Sequence, residues 1–86
     1  MPMFLDYHAM PAMPPEQMKK MTDQLKATKA SRKADSSGVV LLNVYMAHGE
    51  AWGISEAPNA EAIMKSHAAL GIKIKASDVV ELTSVI

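Results

Sequence analysis

The 86-residue chain contains no cysteine. No disulfide can brace the fold, and no thiolate can bind a metal. Charge of a dominant sign is missing too: nine basic residues balance nine acidic ones, which argues against a nucleic-acid partner, since that usually needs a basic face. Aromatic residues are few. Tyr7, Tyr45 and Trp52 are scattered and do not form a stacking platform for bases. No apolar run is long enough to span a membrane, and Met-Pro-Met-Phe-Leu-Asp at the start lacks the basic residues and long apolar stretch of a signal peptide. These absences lead us to expect a cytoplasmic protein that binds neither nucleic acid nor membrane. There is no glycine-rich phosphate loop, no nucleophile elbow and no paired-histidine metalloprotease helix.

A chain this short has limited means of stabilising itself. Roughly 60–65% of the unfolded surface can be buried at this length, so one domain covering residues 1–86 is expected, with association as a source of further stability. Methionine is abundant, with eight residues. Its flexible thioether suits irregular core gaps and interfaces better than it suits a dedicated metal cluster.

The clearest local signals lie in Glu56–Gly71. Pro58 stops strand pairing because it has no N–H to donate. Asn59 is a good helix N-cap, and Glu61 suits the positive end of the helix dipole. Ala60, Ile63, Met64, His67 and Leu70 then recur at helical spacing and form one apolar stripe. Gly71 fits the left-handed residue just past a helix end. A histidine therefore sits on the inner stripe, away from Lys65 and Ser66.

Taken in order, Met3–His8 predicts a strand with Met3, Leu5 and Tyr7 on one face and Phe4, Asp6 and His8 on the other. Pro11, Pro14 and Pro15 mark a turn region, and a helix begins near Pro15. Its stripe is thin: Met18, Met21, Leu25 and Thr28. The helix fades between Ala30 and Lys33, and Ala34–Gly38 is a loop. Val39–Met46 predicts a strand that is apolar on both faces. Helices on one face alone would leave the other uncovered, and a second copy of the same sheet is the natural cover. Ala47–Glu50 predicts a hairpin turn, with His48 solvated at its tip. Ala51–Ala57 follows as a strand with Trp52, Ile54 and Glu56 on one face. Ile72–Asp78 is either a short edge strand or a loop, and Val79–Val85 closes the sheet.

This order is the βαββαβ pattern of a ferredoxin-like α+β domain. It predicts a four-stranded antiparallel sheet with two helices on one face, the first strand central, and a second helix crossing near it. His8 and Asp6 on that strand would then meet His67 on the helix. Two imidazoles and a carboxylate suit a divalent transition metal such as nickel, zinc or copper. They also suit a pH-sensitive pair or a general base oriented by an acid. Glu56 is a further carboxylate candidate. The plain alternative is a partly buried histidine held by one hydrogen bond, with Asp6 capping a neighbouring backbone group.

The residues Met-Pro-Met-Phe-Leu-Asp-Tyr-His at Met1–His8, Glu-Ala-Pro-Asn-Ala-Glu-Ala-Ile at Glu56–Ile63 and His-Ala-Ala-Leu-Gly at His67–Gly71, with an apolar final strand, resemble a family of small bacterial ferredoxin-like proteins. That family is mostly of unknown function and includes a nickel-binding, nickel-responsive member. The chain departs from it at Pro14, where a Ser or Thr cap is usual, and after Gly71, where it runs a few residues longer. The resemblance implies a homodimer through the open sheet face, with dimeric α+β barrel-type association. It also implies a metal site using His8 and His67, with Asp6 a further ligand. The other functional expectation is an enzyme of the dimeric α+β barrel type, a monooxygenase or isomerase. In that reading His8 or His67 acts as base and Asp6 orients it on a small organic substrate. A pocket with no room beyond an ion and waters would argue against that reading.

Overall fold

The computed structural model describes every residue from Met1 to Ile86. The elements are β1 (Met3–Ala9), α1 (Pro15–Ser31), β2 (Val40–Ala47), β3 (Glu50–Glu56), α2 (Ala60–Ala69) and β4 (Val79–Leu82). They form one four-stranded sheet in the order β2-β3-β1-β4, and all three strand pairs are antiparallel. This is the ferredoxin-like arrangement expected from the element order, with β1 central.

The β2–β3 hairpin turns on His48 and Gly49, both at positive φ (52° and 75°). Such a two-residue turn matches the twist of the flanking strands. Residue partners across the sheet then fix which side chains share a face. Asp6 lies opposite Gly53, Phe4 opposite Ser55 and His8 opposite Ala51. Those residues face the helices. Met3, Leu5 and Tyr7 share the other face with Trp52, Ile54 and Glu56.

Helix α2 starts as its sequence dictates: the Asn59 side chain accepts a hydrogen bond from the Ala62 N–H at 2.9 Å. It ends in a paired-bond C-terminal motif. The N–H of Gly71 donates to the Ala68 carbonyl and that of Ile72 to the His67 carbonyl, with Gly71 at φ 77°. These bonds satisfy the last carbonyls and hold the final turn, including the His67 backbone, in place.

The core lies toward one end of the sheet. Phe4, Val39, Ala57, Ala62, Ile63 and Ile74 form a buried cluster, with Met64 and Val79 packed against it. Ile63 is fully enclosed, which is worth about 2–3 kcal/mol for a side chain of its size. Helix α1 is different, for it has no fully buried residue. Its Met18, Met21 and Leu25 stripe is only half-buried, so α1 leaves a cleft between itself and the sheet.

Of the two alternatives for Ile72–Asp78, the loop is the one observed: Ile72–Lys75 forms no strand and leads into a 3-10 turn at Ala76–Asp78. Two expectations are corrected. The closing strand stops at Leu82 rather than Val85, because only Val79–Leu82 pair with β1. Leu70, placed on the inner stripe by spacing, is 73% exposed, since it borders the open cleft beside α1 and not the packed core. No helix is long and apolar enough to cross a membrane.

Candidate metal centre

Along β1 the helix-facing side chains change character. Phe4 belongs to the core, Asp6 is buried at 2% exposure and His8 is half-exposed. Successive residues on one strand face lie about 7 Å apart, so this series runs from the packed end of the sheet into the cleft. Helix α2 lays His67 over the same series.

The imidazole of His67 is held at both nitrogens. Nδ1 lies 2.8 Å from the Ile63 carbonyl oxygen, and Nε2 lies 3.1 Å from Oδ1 of Asp6. Both partners are acceptors, so the arrangement favours the doubly protonated ring. Burial pulls the His67 pKa down. The hydrogen bond to Asp6, the bond to Ile63 and the Asp6 charge together outweigh it, and the result lies above the ordinary value of 6.5. His8 is similarly oriented by its own backbone, with Nδ1 3.1 Å from the Ala9 carbonyl oxygen. The two rings meet edge to face at a centroid distance of 5.4 Å.

One donor atom from each of Asp6, His8 and His67 falls within 4.8 Å of the others. Metal bonds of about 2.0–2.2 Å place tetrahedral donors a little over 3 Å apart. Asp6 and His67 already stand at that spacing, and His8 would close by no more than about 1.5 Å. In both histidines a backbone carbonyl engages Nδ1, which fixes the tautomer and leaves Nε2 as the donor for a metal. The residues present therefore fit a borderline divalent ion, for which imidazole and carboxylate are suitable ligands.

Glycine is needed opposite the carboxylate. A Cβ at Gly53 would stand 2.7 Å from Oδ2 of Asp6 and 3.0 Å from Oδ1, far inside contact distance. Position 53 thus makes the space in which Asp6 turns toward His67. At the rim, Asp35 joins the loop before β2 to α2. Its side chain accepts from the hydroxyl of Ser66 and from the backbone N–H groups of Ser37 and Val39. Burial raises the Asp35 pKa, but these hydrogen bonds outweigh it and hold the carboxyl below its usual range.

The three residues singled out from the sequence, Asp6, His8 and His67, are brought together. Glu56 is not: it pairs with Met3 on the opposite face, so it cannot reach the centre. His48 lies in the hairpin turn, away from the group. The sequence pattern assigns Gly53, Asp35 and Ser66 no role at the centre. A glycine inside an apolar strand is a signal of close approach, yet it names no partner until the register is known.

The centre opens onto a cleft of about 480 Å³ bounded by α1, α2 and the sheet. This volume lies within the range of small-molecule sites, about 300–1,000 Å³. There is room for more than an ion and its waters.

No protein-family model and no curated protein matches the chain. Among solved structures it is similar to the crystal structure of SCO4226 from Streptomyces coelicolor A3(2). The two are 22% identical over 98% of this chain and 99% of that one, with a TM-score of 0.64. At that identity the likeness establishes the fold.

Proposed function

We propose that the protein binds a divalent transition metal, nickel or zinc, through Asp6, His8 and His67. The observation that carries this reading is the placing of a buried carboxylate and two imidazoles, from one strand and one helix, within 4.8 Å. The resemblance to a family with a nickel-binding member supports nickel as the first ion to try. Three protein donors leave coordination positions open, as in sites that exchange a water or ligand. Isothermal titration of the apo-protein with nickel and with zinc tests this. Binding in the micromolar range or tighter is expected, with a loss of at least about 100-fold in His8→Ala and in His67→Ala. Binding no tighter than millimolar, or unchanged in both variants, contradicts it.

The same reading includes a homodimer through the open sheet face. That face carries Met3, Leu5, Trp52 and Ile54 from the two central strands, together with Tyr45 and Val80, which are 58% and 52% exposed in the single chain. An apolar surface of this extent on so small a chain supports an interaction site, and a two-fold dimer would use the same patch on both copies. Sedimentation is expected to give twice the chain mass of 9.3 kDa. Trp52→Lys, on the face away from the metal ligands, is expected to give a folded monomer. A wild type that sediments as a monomer at high micromolar concentration contradicts the dimer.

A further inference from the structure

We propose that the metal centre is the polar end of a binding site for an anionic, metal-chelating small molecule with an apolar tail. The head would complete the coordination of the ion, and the tail would lie in the cleft under α1. This rests on the metal reading above and extends it to a ligand class.

The cleft is chemically two-ended. One end is the group Asp6, His8 and His67; toward α1 the lining becomes Met10, Met21, Leu25 and Ile72. Helix α1 explains why that end stays open. Its apolar stripe is half-buried and no side chain on it is fully enclosed, so hydrocarbon that an ordinary packed helix would bury is left facing the cleft. Burial of that surface by a ligand tail is favourable. Methionine side chains re-form around different shapes at small cost, which suits a variable tail. A second space of about 640 Å³ shares His8, Met10, Met21 and Leu25 and runs on to Lys73, so the apolar end continues beyond the first cleft.

Charge selects the head. A divalent ion with one carboxylate and two neutral imidazoles carries a net positive charge, and the other two charged side chains lining the cleft, Asp35 and Lys33, are of opposite sign and offset one another. An uncompensated charge there is costly. A monoanionic oxygen chelator neutralises it and fills positions that the three protein ligands leave free. A neutral apolar molecule would satisfy neither condition, and a small hydrophilic anion would leave the α1 end unfilled.

The test uses the nickel-loaded full-length protein and two probes with the same head, acetohydroxamate and octanohydroxamate. Each methylene buried is worth about fourfold in affinity. Partial burial of the longer chain is therefore expected to make octanohydroxamate about 100-fold tighter or more. Met21→Gln combined with Leu25→Gln is expected to reduce that preference to about fivefold or less while nickel affinity is unchanged. These side chains are not part of the buried core, so the variant is expected to fold. Equal binding of the two probes by a protein that binds nickel overturns this inference and leaves the metal site standing. So does a chain-length preference that survives in the double variant, since the tail would then lie elsewhere. Failure of nickel itself to bind is a separate result, and it overturns the reading on which this one rests.

Discussion

His67→Ala is expected to destabilise the apo-protein by about 3 kcal/mol in urea unfolding, because it leaves the Asp6 carboxylate buried without its cation. Asp6 is 2% exposed and His67 Nε2 is the group that pairs with it. Removing one member of a buried pair costs more than the pair itself contributes, and replacing both members together costs less. Asp6→Ala combined with His67→Ala is therefore expected to be more stable than His67→Ala alone. The effect depends on pH in a defined direction. The folded state raises the His67 pKa above the ordinary 6.5, so the folded protein holds the proton more tightly than the unfolded chain. The stabilisation is fully present below about pH 6.5 and is lost as pH rises through the raised value. The gap between wild type and His67→Ala is thus expected to be widest at mildly acidic pH and to narrow on the alkaline side. A gap that widens with pH contradicts the assignment of the proton to His67. Metal competes for the same nitrogen, so nickel affinity is expected to rise over the same interval.

Gly53→Ala is the second large expected effect, and it adds only a methyl group. The new carbon would stand 2.7 Å from one Asp6 oxygen, 3.0 Å from the other and 3.1 Å from Cγ. The strands are hydrogen-bonded at this register, so the backbone cannot easily retreat and the carboxylate must turn away from His67. A stability loss of about 1–3 kcal/mol is expected, as for other overpacked interior sites. Nickel affinity should fall at least about tenfold, because a displaced ligand no longer meets the other two. Asp6→Ala in the Gly53→Ala background removes the clash. The two changes are expected to be less destabilising together than the sum of the singles, with a coupling of about 1 kcal/mol or more. Metal binding is not restored in that double variant. Additive stability effects, or nickel affinity untouched by Gly53→Ala, would show that Asp6 does not need the space that glycine leaves.

Much of the centre is legible in the sequence alone. The alternation of Met3–His8 assigns Asp6 and His8 to one face because strand side chains repeat every second residue. Asn59 and Gly71 bound α2 by local backbone chemistry, and helical spacing then turns His67 inward. Those rules act within a few residues, so a sequence displays them. Pairing across the sheet acts over long separations. That is why Gly53 gave no clue to its partner, and why Glu56 was a ligand candidate until its register with Met3 put it on the far face. Leu70 follows the stripe by spacing yet is exposed, because the space it borders beside α1 is an open cleft. The looseness of α1 is also nonlocal. Its thin stripe was visible, but that it borders a cleft instead of closing on the sheet depends on the shape of everything beneath it.

The most direct test of a metal held between β1 and α2 is a crystal structure of the nickel-soaked protein with an anomalous map recorded at the nickel edge. The account predicts one dominant peak within bonding distance of an Asp6 oxygen and a ring nitrogen of both His8 and His67. A dominant peak elsewhere, or the His67–Asp6 contact intact beside an empty map, would contradict it.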